Sequence, residues 1–178
     1  AAEKCDGIVD SMTLLETLVS EAVDSGVPRS RVVLAGFSQG GAVALYTGLQ
    51  QKQQLAGILV MSGYLPLQGE VAAKFVDKEV KEAATKTPVY FAHGEADPVV
   101  LLHWAEASRA FVEGLGVESV SWSTYPGVPH SVSPTEVADA TKWLTERLPA
   151  LSSAEFQALR KTAPVREVSP EGDVAVGE

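Results

Sequence analysis

Ser38 stands in Gly36-Phe37-Ser38-Gln39-Gly40-Gly41, with glycine two residues away on either side. A serine hydroxyl attacks an electrophile only when a base takes its proton, and the base needs an acid to orient it. The chain holds three histidines, His93, His103 and His130. His93 closes an apolar run just before Gly94, a place for a structural histidine, and His103 lies beside Trp104 in a helical pattern, a place for an exposed one. His130 follows Pro126-Gly127-Val128-Pro129, whose restricted backbone can aim an imidazole. Asp97, in His93-Gly94-Glu95-Ala96-Asp97-Pro98, is the candidate acid, with Glu95 as a neighbouring competitor. On the residues alone two plainer readings stay open. Asp97-Pro98 is also an N-cap followed by a first helical residue, and the glycine-rich turn at Ser38 is also a phosphate-binding loop.

Positioning such groups requires a framework, and four short apolar, β-branched runs provide one: residues 31–36, 57–61, 88–92 and, more weakly, 119–125. They lack alternation, as strands covered on both faces do, which predicts a parallel sheet. Apolar residues at three- and four-residue spacing predict a helix over 4–25, ended by Gly26. Further helices are predicted over 39–51, 70–84 and 99–115. Ser133-Pro134-Thr135-Glu136 combines an N-cap, a proline at N1 and a glutamate at N3, and starts a helix running to about Leu148. Ser152-Ser153-Ala154-Glu155 repeats the capping pattern for a short helix that Pro164 ends. Strands alternating with helices predict an α/β domain with helices on both faces of a mainly parallel sheet.

Composition narrows the function. With 46% hydrophobic and 21% charged residues, the 178-residue chain has the make-up of a packed globular domain. Fourteen basic against 23 acidic residues give a net charge of −9, a field that repels phosphate backbones and argues against a nucleic-acid partner. No apolar run reaches the roughly 20 residues that span a bilayer, so no stable membrane insertion is expected. The single cysteine, Cys5, forms no internal disulfide and fits a reducing, cytoplasmic setting; it is expected near solvent or on a helix face. Residues 164–178, acidic and poor in large apolar side chains, are expected to form a disordered tail. The expected division is a domain over 1–148, a short helical extension over 149–163 and that tail.

Ser38, Asp97 and His130 each follow a different predicted strand, where loops of parallel sheets converge. Their chain order, Ser then Asp then His, is that of the α/β-hydrolase relay. The blocks Gly36 to Ala42, Ser62-Gly63-Tyr64-Leu65-Pro66-Leu67, His93 to Val100 and Gly127-Val128-Pro129-His130-Ser131 resemble the acyl-protein thioesterase and small carboxylesterase (phospholipase/carboxylesterase) family. The resemblance covers residues 4–148. It implies an α/β-hydrolase fold and a serine hydrolase that cleaves fatty-acyl thioesters or carboxylic esters through an acyl-serine intermediate. It places the nucleophile on Ser38, the acid on Asp97, the general base on His130 and an oxyanion donor on the backbone N–H of Gln39. It also sets Leu65 and Pro66 beside an acyl groove, calls for no metal or organic cofactor, and names acyl esters or S-acylated proteins as partners. The sequence departs from the family in lacking the strands and the His-Gly loop that precede this region. It therefore reads as an N-terminally truncated version whose first strand presents an unpaired apolar edge. The alternative is a catalytically impaired hydrolase fragment or a non-catalytic interaction module.

Overall fold

The four apolar runs form β1 (Val33–Phe37), β2 (Gly57–Met61), β3 (Val89–Gly94) and β4 (Val120–Tyr125) in the computed structural model, which describes residues 5–162. All pair in parallel, in the order β1-β2-β3-β4. Seven α-helices accompany them among the described residues: α1 (Ile8–Asp24), α2 (Gln39–Gly48), α3 (Gln68–Lys74), α4 (Lys78–Lys86), α5 (Leu102–Gly114), α6 (Pro134–Arg147) and α7 (Ser153–Thr162).

The register explains why the runs do not alternate. Leu34, Ile58 and Val89 lie side by side and, with Val60 and Phe91, pack against Leu45 of α2, Leu49 at its C-cap and Val112 of α5. Leu59, Tyr90 and Ala92 face the other way, onto Ala140 and Trp143 of α6. Both faces are apolar because both are covered. β3, central in chemistry as well as position, is buried along its whole length.

Local signals set most boundaries. The chain leaves α1 through Gly26 in the left-handed region, with the Gly26 N–H bonded to Val23 O and the Val27 N–H to Ala22 O, the paired bonds of a Schellman ending. Ser133 and Glu136 cap α6 reciprocally, and Ser152 and Glu155 exchange the same bonds ahead of α7. Two helices differ from expectation. The predicted helix over 70–84 is two, because the Asp77 carboxylate takes the N–H of Glu79 and so starts α4 as a new N-cap after α3 has ended. α5 begins at Leu102 rather than near Val99, because residues 97–100 are held in the turn described below. Pro164 and the expected tail lie outside the described residues.

Among the described residues β1 has one partner. The Val32 carbonyl accepts from Ala56 N–H and the Ser38 N–H donates to Met61 O, so even-numbered main-chain groups point at β2. By alternation, those of Val33, Ala35 and Phe37 point at the free edge. Beside that edge Leu14 and Leu18 of α1 are 63% and 51% exposed, and they border an apolar groove of about 530 Å³ with Leu15, Val33 and Val43. An edge of this kind templates pairing with another chain. The chain is therefore expected to self-associate across the micromolar range in sedimentation velocity. Ala35→Lys combined with Leu18→Lys should return it to a monomer; a wild type that stays monomeric would refute this.

Candidate functional site

Ser38 sits on the turn from β1 into α2 with φ 54° and ψ −121°, a strained conformation for a residue with a side chain. The turn is this tight because Gly36 permits it: a Cβ there would lie 2.1 Å from the Gly40 carbonyl carbon and 2.3 Å from its oxygen. Glycine at 41 serves the same closeness, since its Cβ would come within 2.9 Å of Gly36 O. Gly40, read from sequence as the second source of room, is not one: a Cβ there meets nothing within 4 Å among the described residues. Gln39 opens α2, and the N–H at a first helical position has no intrahelical acceptor. It is thus available, at the positive end of the helix, to a developing oxyanion.

Two loops, carrying Asp97 and His130, bring the relay to Ser38. His130 Nε2 lies 2.9 Å from Ser38 Oγ, and His130 Nδ1 lies 2.7 Å from Asp97 Oδ2. A carboxylate only accepts, so Nδ1 carries the hydrogen and Nε2 presents its lone pair to the serine hydroxyl. Asp97 Oδ1 accepts the N–H groups of Val99 at 2.8 Å and Val100 at 3.0 Å. Burial pushes the Asp97 carboxyl up, but the bonds from His130, Val99 and Val100 outweigh it and hold the pKa below the ordinary carboxylate value. The helix-cap reading of Asp97 is thereby replaced: Leu101 is the N-cap of α5, and Asp97 closes a local turn while holding the imidazole. Glu95, the competitor, accepts from Thr124 Oγ1 at the surface. His103 is exposed on α5, and His93 is buried in β3.

A cavity of about 360 Å³ opens beside Ser38, lined by Cys5, Ile8, Ala42, Tyr64, Pro66 and Val100 among others. Pro66 of the two residues expected at an acyl groove therefore borders it. Leu65 is turned away, its N–H bonded to Ser108 Oγ, and lines an adjoining cavity with Trp104. Cys5, expected near solvent or on a helix face, precedes α1, is half-buried and lines the cavity beside Ser38. Two further residues escaped the sequence reading. The Phe37 ring packs 4.8 Å from the His130 ring, centroid to centroid. Gly94 lets the His130 loop approach β3, since a Cβ there would lie 2.3 Å from Val128 O. Both adjoin residues already singled out, but only a cross-strand distance reveals the contact.

Glu136 anchors the far end of the His130 loop. It is fully buried, and its capping bonds join it to Ser133 at 3.1 and 3.4 Å. Burial raises its pKa, partly offset by the bond from the Ser133 N–H. With the folded pKa above the unfolded one, the folded state holds a proton that the unfolded state releases, so stability falls as pH rises from the unfolded value through the folded one. Glu136→Gln keeps the capping acceptor and removes that loss. Its melting temperature should match wild type near pH 4 and exceed it near pH 8; parallel pH profiles would refute the assignment.

A serine–histidine–aspartate relay gathered at the C-terminal ends of parallel strands, with the serine on a strand-to-helix turn, defines the site of an α/β-hydrolase fold. The chain belongs to the phospholipase/carboxylesterase family, whose description matches residues 1–148. It is 40% identical over 152 residues to acyl-protein thioesterase 1 of Neurospora crassa, covering 85% of this chain and 60% of that protein. With acyl-protein thioesterase 1 of Yarrowia lipolytica it shares 37% identity over 149 residues, covering 83% and 63%. The crystal structure of Arabidopsis thaliana SOBER1 superimposes with a TM-score of 0.72 at 29% identity, over 79% of this chain and 64% of that one. The chain thus spans about three fifths of the length of these curated relatives. Among the described residues no helix is long and apolar enough to cross a membrane.

Proposed function

We propose that this protein is a serine hydrolase that cleaves fatty-acyl thioesters or carboxylic esters through an acyl-serine intermediate. The observation that carries the reading is the unbroken relay of 2.9 and 2.7 Å from Ser38 through His130 to Asp97. Ser38 Oγ attacks the acyl carbonyl carbon while His130 Nε2 takes its proton; Asp97 stabilises the resulting imidazolium. The Gln39 N–H donates to the oxyanion. His130 then returns the proton to the departing thiolate or alkoxide, and a water activated by the same nitrogen attacks the acyl-serine to release the acid. The cavity bordered by Ile8, Ala42, Pro66 and Val100 takes the acyl chain. None of these steps calls for a metal or organic cofactor. S-acylated proteins are the preferred substrate class within this reading, supported by the names of the two thioesterase relatives, and a cytoplasmic setting fits the single cysteine.

The edge of β1 that has no strand partner among the described residues favours a second reading, a domain that binds a partner and turns over nothing. One experiment separates the two: labelling of the 178-residue chain with a fluorophosphonate, followed by hydrolysis of a palmitoyl thioester peptide. Labelling that Ser38→Ala and His130→Ala both abolish, with peptide turnover, is the expected result. A cooperatively folded chain that takes no label would sink the hydrolase reading and leave the binding one.

A further inference from the structure

His93 has no part in the relay, yet it is buried beside the relay acid, 1% exposed at the end of an otherwise apolar strand. An imidazole in such surroundings is costly without a partner. Its partner is the Val100 carbonyl, 2.8 Å from Nε2. A carbonyl oxygen only accepts, so Nε2 carries the hydrogen and donates. The same Val100 donates its own N–H to Asp97 Oδ1 at 3.0 Å. One peptide unit on each side of Val100 is therefore fixed, one by the relay acid and one by His93. The segment so held, residues 97–100, has no helical or strand ladder of its own. His93 Nε2 also lies 3.7 Å from Asp97 Oδ2, too far for a hydrogen bond but close enough for its N–H dipole to favour the carboxylate.

We propose that His93 is a positioning residue for the relay: by clamping the Val100 carbonyl it fixes the turn that presents Asp97 to His130. This rests on the hydrolase reading for its effect on rate, although not for its effect on geometry. Without the clamp Val100 is free to swing, and the N–H that it gives to Asp97 goes with it. The carboxylate then loses one of the bonds that aim its second oxygen at His130.

The test uses the full chain and three variants. His93→Leu removes the donor at similar volume, His93→Gln replaces it with an amide N–H of comparable reach, and His93→Asn offers a donor too short for Val100. Two quantities are read: the low-field proton resonance of His130 Nδ1–H, and the fluorophosphonate reaction rate per folded molecule. The Leu and Asn variants should lose the resonance or shift it upfield, and should react about 10–100-fold more slowly, the scale of a misplacement near 1 Å. His93→Gln should restore both. If Leu fails to fold, the Asn–Gln pair decides. Variants that keep the resonance and the per-molecule rate while only melting earlier would overturn the proposal, as would a wild type without the resonance. A wild type that shows the resonance but takes no label would refute the hydrolase reading alone, because the resonance reports the His130–Asp97 bond without turnover.

Discussion

Asp97→Asn should slow the reaction of Ser38 with a fluorophosphonate or an acyl ester by about 10⁴-fold while leaving the fold in place. The reason lies in which atoms Asp97 offers to which partners. One oxygen accepts the Val99 and Val100 N–H groups and the other accepts from His130 Nδ1. An asparagine can keep its oxygen on the two backbone donors, so the turn survives. Its NH₂ group then faces His130, and a donor there obliges Nδ1 to be the lone-pair nitrogen. The hydrogen moves to Nε2, the atom 2.9 Å from Ser38 Oγ, which can no longer accept the serine proton. Distances barely change, yet the base is lost.

Stability should follow a different course in the same variant. The folded pKa of Asp97 lies below its ordinary value, so the stability that it contributes is present above the unfolded pKa and is lost as pH falls through the folded one. Asp97→Asn should accordingly melt below wild type at pH 7, and the gap should close on acidification below about pH 4, the ordinary aspartate range. A variant that reacts within tenfold of wild type at pH 7 would refute the assignment of Asp97 to the relay. A variant that reacts slowly because it is unfolded would show itself in the melt.

Much of this arrangement is legible in the sequence because the elements that make it are local. The unalternating runs, the Gly26 ending of α1 and the Ser133 and Ser152 capping patterns each carry their signal within a few residues, and each appears where expected. Ser38, Asp97 and His130 are legible because they follow strands, and a parallel sheet sends every such loop to one edge. What the sequence hides is pairwise and distant. Asp97-Pro98 looks like a helix start because the competing claim on its carboxylate comes from His130, 33 residues away. The break between α3 and α4 is missed because helical periodicity runs on through Asp77, whose capping bond is invisible to it. His93 reads only as a structural strand-end histidine, because its bond is to a backbone carbonyl, which leaves no mark on residue type. The edge of β1 is legible as an expectation, but the groove that flanks it depends on how α1 and α2 pack.

The glycines around Ser38 divide the most sharply between pattern and structure. By pattern Gly36 and Gly40 are equivalent, each two residues from the serine. In the fold they are opposites. A methyl at 36 would be driven into Gly40 C and O and Gly41 N at 2.1, 2.3 and 2.5 Å, all main-chain atoms of the first turn of α2. No rotamer relieves that clash; α2 must slide off β1, carrying Leu45 and Leu49 out of the core that they share with Ile58. Gly36→Ala should therefore cost about 4 kcal/mol or more, in the range reserved for core disruption, and lower the melting temperature by roughly 8–16 °C for a chain of this size. It should also abolish labelling, since the turn that aims Ser38 cannot close. Gly40→Ala meets no such obstacle, and alanine within a helix is favoured over glycine by about 0.5–1 kcal/mol. That variant should melt at or slightly above wild type and keep its reactivity. Thermal melts and labelling of the two variants, side by side, check both halves. If Gly36→Ala melts with wild type, the close approach of α2 to β1 is wrong; if Gly40→Ala fails like Gly36→Ala, the space beside residue 40 is occupied by something that the described residues do not supply.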